Sequence, residues 1–132
     1  MPFEFSINKK KRILCVGTDG VLTSQDMDTY YNRLREMGGI GDCSKGLIDL
    51  THPNLSMKAV SLTSVRNMGW QFKALPLMQR GSRMAFVTHS KLVYGFVRVF
   101  MARRGDDIEI KPFTIMDEAL HWLEISDADL VR

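Results

Sequence analysis

ILCVGTDGVLTSQDMDTYYNRLREM, residues 13–37, is the stretch that indicates the fold, because it contains a strand, a turn and a helix in succession. Its first six residues, Ile13–Thr18, form a nearly continuous apolar run, which is typical of a strand buried on both faces of a parallel sheet. Asp19 and Gly20 then have the composition of a tight turn. We therefore expect a strand–helix unit of the kind from which α/β proteins are built.

The helix of this unit has clear start and stop signals. Thr23 is followed three residues later by Asp26, a spacing that predicts a capping box in the first turn. Apolar side chains then recur at helical spacing, at Met27, Tyr30, Tyr31, Leu34 and Met37. Gly38 and Gly39 follow and predict the end of the helix.

The rest of the chain repeats this alternation of strands and helices. Strands are predicted at 3–7, 46–51, 84–88 and 108–113, and helices at 61–75, at 92–104 and after Thr114. Thr114, with Asp117 three residues later, is predicted to cap the last helix. The pattern predicts a single α/β domain over residues 1–132, with a mixed, mostly parallel sheet of about five strands and four helices. The first strand is expected to pair antiparallel at the sheet edge.

Charge is distributed unevenly along the chain, although the formal net charge is only +3. No acidic residue lies between Asp49 and Asp106, and the acids then return as a group towards the end of the chain. The acid-free stretch holds nine cations: Lys58, Arg66, Lys73, Arg80, Arg83, Lys91, Arg98, Arg103 and Arg104. A one-signed field raises the local concentration of anionic partners. The alternative is that these cations are only solvated faces.

The location of the protein is expected from what the sequence lacks. The basic cluster near the start is followed by no apolar run of the signal-peptide kind, and no window reaches the length needed to span a bilayer. We expect a cytoplasmic protein, with the membrane periphery as a further option. Its cysteines are then expected to be reduced, with Cys15 in the core and Cys43 exposed after a glycine-rich turn.

Residues 17–23, GTDGVLT, resemble the D-x-D-G-V-L-T stretch of haloacid-dehalogenase-type phosphatases. The first aspartate of that pattern is the nucleophile, and this chain has Gly17 at its position, so that only Asp19 is retained. We therefore expect no phosphatase activity. The sequence also contains no other recognised catalytic, phosphate-loop or metal-binding motif, so neither an enzyme nor a cofactor or metal is predicted.

Several polar residues follow the predicted parallel strands, where such sheets bind ligands. Thr18, Asp49, Thr51 and His52 belong to this set. They suit either a ligand site or turns that satisfy backbone groups, and the absence of a catalytic motif favours turns. Asp49 stands in an otherwise apolar strand and needs a partner, because burying a lone carboxylate is costly.

The helix predicted at 61–75 combines a core stripe with a basic, aromatic flank. Leu62, Val65, Gly69 and Phe72 are assigned to the stripe. Arg66, Trp70 and Lys73 fall together on its flank, a pattern that suits a membrane interface or an anionic partner. The alternative is that Trp70 packs at the core margin with the cations around it. Nucleic acid is not expected as a partner, because no recognised binding motif is present.

The whole pattern resembles a STAS domain of the anti-sigma-factor-antagonist type, and more closely its bacterial stage-II-sporulation-protein-AA-like subgroup. The residues that carry the resemblance are Gly20, Leu22, Thr23, Asp26, the strand Leu47-Ile48-Asp49-Leu50, the strand 84–87, Phe113, Glu118, Ala119, Trp122 and Leu123. The match covers residues 3–125. It implies a mixed five-stranded sheet with packed helices, and a similarity to CRAL-TRIO domains.

One departure from that resemblance bears on function. Regulatory STAS domains carry the sequence D-S-S-G at the start of the helix after the D-L strand, and residues 55–61 of this chain, LSMKAVS, do not. We therefore expect a non-enzymatic binding domain for a lipid head group, an acidic protein surface or a small acidic ligand. The alternative is a phosphorylation-controlled partner-switching protein. Neither reading excludes a homodimer.

The residues predicted to form the binding site come from two parts of the chain. Arg66, Trp70 and Lys73 are assigned to the anion-binding surface, with Asp49 and Thr51 beneath them. This arrangement assumes that the helix at 61–75 lies over the carboxyl edge of the sheet.

Overall fold

The computed structural model describes residues 3–38, 40–74, 78–103 and 108–130, with the side chains of 72–74 and 103 left out. The strands in these residues are β1 (Phe3–Asn8), β2 (Ile13–Thr18), β3 (Val21–Thr23), β4 (Lys45–Asp49), β5 (Ser56–Ala59), β6 (Arg83–Val87) and β7 (Glu109–Phe113). The helices are α1 (Ser24–Glu36), α2 (Leu62–Ala74), α3 (Lys91–Arg103) and α4 (Met116–Leu123), with short 3₁₀ turns at Ile40–Asp42 and Asp127–Asp129.

The main sheet has five strands in the order β1-β2-β4-β6-β7. β1 pairs antiparallel with β2 at one edge, and the other pairs are parallel. The predicted mostly parallel, mixed sheet with four helices and an antiparallel edge strand is therefore confirmed. Because the parallel strands share one direction, their carboxyl ends meet at one edge of the sheet, which we call the carboxyl edge.

The two faces of the sheet are covered by different helices. In β2, Leu14 and Val16 point into a cluster formed with α1, α2 and α3, whereas Ile13 and Cys15 point into a second cluster formed with α4. This follows from the alternation of side chains along a strand. We call these two sides the three-helix face and the α4 face. The continuous apolar runs of the sequence are thus explained, because the central strands are buried on both sides.

A second, two-stranded sheet was not predicted. β3 and β5 pair in parallel beside the main sheet, and the amide of Ser56 donates to the carbonyl of Gly20 at 2.9 Å. Gly20 has a φ of +85°, which allows the chain to turn between β2 and β3 at little steric cost. Strands of three and four residues carry too little periodicity to be recognised in a sequence. Their pairing depends on a contact between distant segments.

The predicted start of α1 is confirmed and that of α4 is wrong. The amide of Asp26 donates to the hydroxyl of Thr23 at 3.2 Å, and the amide of Thr23 donates to the Asp26 carboxylate at 2.8 Å, which completes the capping box. In α4, Ile115 and not Thr114 occupies the capping position, without a side-chain cap. The chain stays extended through Phe113, whose carbonyl accepts from Thr88, so the helix begins later than its sequence signal.

Cys43 was predicted to be exposed and is instead buried, with 1% of its surface accessible. The turn at Ile40–Asp42 buries Ile40, and the amide of Cys43 donates to the Ile40 carbonyl at 3.0 Å. This turn carries the thiol into the core of the three-helix face. Burial raises the pKa of Cys43, so the thiol is less reactive than an exposed one. Cys15 lies in the core, as expected.

The two helices of the acid-free stretch are anchored unequally. α3 buries four large side chains, those of Val93, Phe96, Val97 and Phe100. Among the described side chains of α2, those of Val65 and Met68 are buried. Leu62 was assigned to the core stripe but is 48% exposed, because it stands at the first position of the helix and projects past the core. The predicted Phe72 contact lies outside the described side chains.

This difference predicts that α2 opens locally before α3 does. We expect amide protons of residues 66–74 to exchange about tenfold faster than those of residues 95–103, because fewer buried side chains are described for α2 than for α3 to resist the opening. Hydrogen exchange read by NMR measures this, and α3 is the internal control, since both helices have 13 residues. Equal protection of the two helices would show that α2 is held as firmly as α3.

Candidate functional site

Two neighbouring hollows, of about 460 and 700 Å³, lie at the carboxyl edge of the sheet. We call the two together the carboxyl-edge groove. Both are lined by Glu4, Gly17 and Asp49, and the smaller one also by Asp19 and Thr51. The two hollows together are lined by four carboxylates and one guanidinium, so the net field is negative and repels anions. The groove is therefore unsuited to an anionic ligand.

Asp49 and Thr51 form a local turn motif within this groove. The carboxylate of Asp49 accepts hydrogen bonds from the amide of Thr51, at 3.0 Å, and from the Thr51 hydroxyl. This is the partner that a carboxylate at the end of an apolar strand requires. The bonds account for both residues by turn chemistry, which is the alternative that the sequence left open.

His52 also takes part in a turn, as its position before Pro53 indicated. Its Nδ1 lies 3.0 Å from the Asp19 carboxylate and 3.1 Å from the amide of Asn54, which donates to it. Nδ1 can make one of these contacts at a time, since the first needs a proton on the nitrogen and the second a lone pair. Both partners of the ion pair are well exposed, so the pair adds little to stability.

The exposed side of α2 presents two apolar side chains around one cation, and we call Leu62, Arg66 and Trp70 the α2 face. They follow one another at four-residue spacing, which places them on one side of the helix. Trp70 is 50% exposed and Leu62 is 48% exposed. Lys73 belongs to the same helix, but its side chain lies outside the described residues. Arg66 and Trp70 are thus brought together as predicted.

Asp49 does not lie beneath this helix, so the structure does not bring it together with Arg66 and Trp70. Ile48 points into the three-helix face, and Leu47 points into the α4 face. Asp49 follows Ile48 and therefore points to the α4 side, away from α2. The sequence assigned Asp49 to the end of its strand but not to one of the two faces of the sheet, which the alternation of side chains decides.

Charge is segregated between the two sides of the sheet. On the three-helix side, α2 and α3 contain no acidic residue, and Arg66, Lys91 and Arg98 are exposed. On the opposite side, α4 and the following turn carry five acids, namely Asp117, Glu118, Glu124, Asp127 and Asp129. The remaining helix of the three-helix side, α1, has three acids and two arginines, so the positive surface is limited to α2 and α3, and the negative surface to α4 and the turn after it.

Arg83, one of the nine cations of the acid-free stretch, has a structural role. Its guanidinium donates to the carbonyl of Trp122 at 3.0 Å and lies 5.6 Å from the centre of the Trp122 ring. It also lies 3.7 Å from the carboxylate of Glu109. These contacts tie β6 to β7 and to α4, so Arg83 is unavailable to a partner.

An apolar cavity of about 50 Å³ lies between the sheet and the helices of the three-helix face. Its lining includes four methionines, at Met27, Met57, Met68 and Met84. Thr18, at the end of β2, also lines it and is 4% exposed. The hydroxyl oxygen of Thr18 has no hydrogen-bond partner among the described residues.

The position of Thr18 carried a signal that sequence reasoning did not use. Thr18 alternates with Leu14 and Val16, so it points to the same buried face as they do. In the sequence, Thr18 is one of several polar residues at strand ends, where hydroxyl groups usually cap backbone groups. A buried hydroxyl without a partner is uncommon in native proteins and calls for an explanation.

None of the helices in the described part of the chain has the length and apolar character needed to cross a bilayer. Among the described residues, no group of three or more histidine, cysteine, aspartate or glutamate side chains is placed to hold a metal ion. The candidate regions in the described part of the molecule are the carboxyl-edge groove, the α2 face, the apolar cavity and a hollow of about 270 Å³ beside Thr88 and His89.

A five-stranded mixed sheet with three helices on one face and one on the other places this chain among the α/β domains with STAS-like architecture, as the sequence resemblance implied. Among solved structures, the chain is similar to an uncharacterized protein of the DUF3478 family with a SpoIIAA-like fold from Shewanella loihica PV-4. The TM-score is 0.55 and the identity is 22%, over 92% of this chain and 91% of that chain. The chain thus has the SpoIIAA-like fold. No family model matches the sequence, and no curated protein matches it.

Replacing Thr18 with valine is expected to stabilise the protein by about 1 kcal/mol, because the substitution keeps the shape and removes a buried polar group that has no partner in the described structure. Urea denaturation followed by circular dichroism measures the change. Thr88→Val is the matched control, since Thr88 is also buried but its hydroxyl accepts from the amide of Ser90 at 3.1 Å. That variant should lose about 1–3 kcal/mol. A loss of stability in Thr18→Val would show that its hydroxyl is paired in solution.

Proposed function

We propose that this protein is a non-enzymatic binding domain whose α2 face attaches to an anionic partner, and that the partner is the surface of an anionic lipid membrane. The observation that carries the proposal is the exposure of Leu62 and Trp70 on either side of Arg66. An aromatic ring with a polar edge suits the boundary between head groups and acyl chains. A nearby cation adds attraction to anionic lipids.

The charge segregation of the molecule supports the same orientation. The surface formed by α2 and α3 is positive, and the surface formed by α4 and the following turn is negative. A negatively charged surface therefore attracts the first side and repels the second, which orients the protein before contact. An acidic protein would be attracted in the same way. The two half-exposed apolar side chains favour a membrane, where they gain an apolar environment.

The proposal that the protein is not an enzyme rests on the carboxyl-edge groove. Gly17 occupies the position of the phosphatase nucleophile and pairs with Asp49 across neighbouring strands. The side chains of Asp49, Thr51 and His52 make turn contacts. The setting that we propose for this binding domain is the cytoplasm, at the periphery of the membrane.

The membrane proposal predicts salt-sensitive binding to vesicles. We expect sedimentation with vesicles of phosphatidylglycerol and phosphatidylcholine, less binding to phosphatidylcholine alone, and weaker binding as salt rises from about 0.05 M to about 0.5 M. Arg66→Glu with Lys73→Glu should weaken binding more than about tenfold, because each cation near the surface contributes about 1 kcal/mol.

The matched control is Lys9→Glu with Lys10→Glu, which changes the net charge equally at exposed positions in the turn after β1. This pair should bind nearly as the unchanged protein does. Binding that is indifferent to salt, or equally weakened by both pairs, would contradict a specific role of α2. Binding of an acidic protein without binding to vesicles would replace the membrane as the partner.

One observation favours a phosphorylation-controlled partner switch as the second candidate. Ser61 is exposed at the start of α2, its hydroxyl accepts from the amide of Ser64 at 3.1 Å, and its own amide donates to the hydroxyl of Ser24 at 3.1 Å. A phosphate at a helix start is stabilised by the helix dipole and free amides. The D-S-S-G sequence of regulatory STAS domains is absent here, which places this candidate second.

We expect the protein to remain unmodified after incubation with ATP and a kinase of the anti-sigma type, because the sequence that such kinases recognise is missing. Intact-mass spectrometry measures this, with Ser61→Ala as the control for the site. Stoichiometric phosphate that disappears in Ser61→Ala would make the partner switch the first candidate.

A further inference from the structure

The starts of α3 and α4 lie beside one hollow at the carboxyl edge of the sheet. β6 and β7 end together there, because the amide of Thr88 donates to the carbonyl of Phe113 at 3.0 Å. The hollow, of about 270 Å³, is lined by Lys91 and Tyr94 of α3 and by Thr114 just before α4. We call the exposed residues at the two helix starts the edge patch: Lys91, Leu92, Ile115, Asp117 and Glu118.

The apolar residues of the edge patch are half exposed, Leu92 at 45% and Ile115 at 51%. Ile115 also occupies the N-cap position of α4, where it makes no side-chain cap. Isoleucine is among the poorest residues at this position, since its side chain has no oxygen to accept from the free amides of the first turn. Burial in its own chain offsets only part of this loss, because half of the side chain stays in water. A contact that buries Ile115 against another molecule explains why this residue stands there.

The charged residues of the edge patch have opposite signs on the two helices. Lys91 is exposed on α3, a helix without any acidic residue, whereas Asp117 and Glu118 are exposed in the first turn of α4. None of these three side chains forms an ion pair with another described residue. A patch with one positive and one negative half is complementary to itself after a rotation of half a turn.

This mixture of signs decides which partner fits the edge patch. An anionic surface is attracted by Lys91 but repelled by Asp117 and Glu118, and a basic partner meets the reverse. A second copy of the chain brings both signs, and the twofold arrangement pairs each positive half with a negative one. Between the charged halves, the hollow provides a place where aliphatic side chains of the other copy are buried.

From these observations, we propose that two copies of this chain associate through the edge patch about a twofold axis, with the start of α3 in each copy against the start of α4 in the other. Leu92 and Ile115 form the apolar centre of this contact, and the charged residues surround it. The dimer contact is separate from the membrane proposal, because it uses none of Leu62, Arg66 and Trp70 on the α2 face. Either proposal can therefore fail without the other.

The first test is sedimentation velocity of the complete protein over about a hundredfold range of concentration. We expect a monomer–dimer equilibrium whose Kd rises with salt, because charged pairs surround the apolar centre. A protein that stays monomeric throughout would overturn the proposal. Assemblies larger than two would also overturn it, since a twofold contact closes on itself and does not grow.

A charge exchange tests the pairing of the two halves. Lys91→Glu should raise the Kd of the dimer more than about tenfold, because the twofold axis repeats the lost pair and the new repulsion. Asp117→Lys with Glu118→Lys should do the same. An equimolar mixture of the two variants should dimerise again, since every contact between them joins opposite charges. The matched control is Lys10→Glu, at an exposed position far along the chain, which should leave the Kd unchanged. A mixture that stays monomeric, or equal weakening by Lys10→Glu, would overturn the proposal.

A second variant keeps the contact testable if reversal of the α4 charges disturbs that helix. Ile115→Ser supplies the missing cap, so the fold should be at least as stable to heat as before. The Kd of the dimer should nevertheless rise about tenfold, because an apolar anchor is lost from the centre of the contact. A stable variant with an unchanged Kd would contradict the proposed contact. Vesicle binding should be retained in Ile115→Ser, since the α2 face is unaltered.

Discussion

The structure depends on the burial of β2 and β4 on both faces. Because side chains alternate along a strand, Leu14, Val16 and Ile48 support three helices, while Ile13, Cys15 and Leu47 support the fourth. Each of these residues contributes roughly 1.5–3 kcal/mol when it is fully buried. The same alternation explains why the chain needs no disulfide, since a core on each face is available to 132 residues.

The alternation of side chains also determines the direction in which the polar residues at the ends of the central strands point. At the carboxyl edge, the alternation continues for one more residue on each strand, so neighbouring polar residues point to opposite sides. Thr18 lines the apolar cavity as well as the smaller hollow of the groove, whereas Asp49 lines only the groove, together with Glu4 and Asp19. One edge of the sheet thus supplies an uncharged interior and an acidic exterior.

The helices place the charged residues of the sequence on different parts of the protein surface. The acid-free stretch forms β5, α2, β6 and α3, and the exposed cations of α2 and α3 lie on the three-helix side. The acids that end the chain fall on α4 and the turn behind it. The α2 face and the cavity share one helix, since Val65 and Met68 point inwards and Arg66 and Trp70 point outwards. Attachment of α2 to a surface would therefore act on the wall of the cavity.

The sequence by itself determined the α/β class, the five main strands, the four helices and the capping box of Thr23 and Asp26, because these follow from apolar periodicity and from bonds within a few residues. The four-residue spacing of Arg66 and Trp70 in the sequence also predicted that they lie on one side of a helix. The tertiary structure alone decided the pairing of β3 with β5, the burial of Cys43, the separation of Asp49 from α2 and the unpaired state of the Thr18 hydroxyl within the described residues. These features depend on which distant segments meet and on which face of a strand each side chain takes, and local periodicity does not specify either.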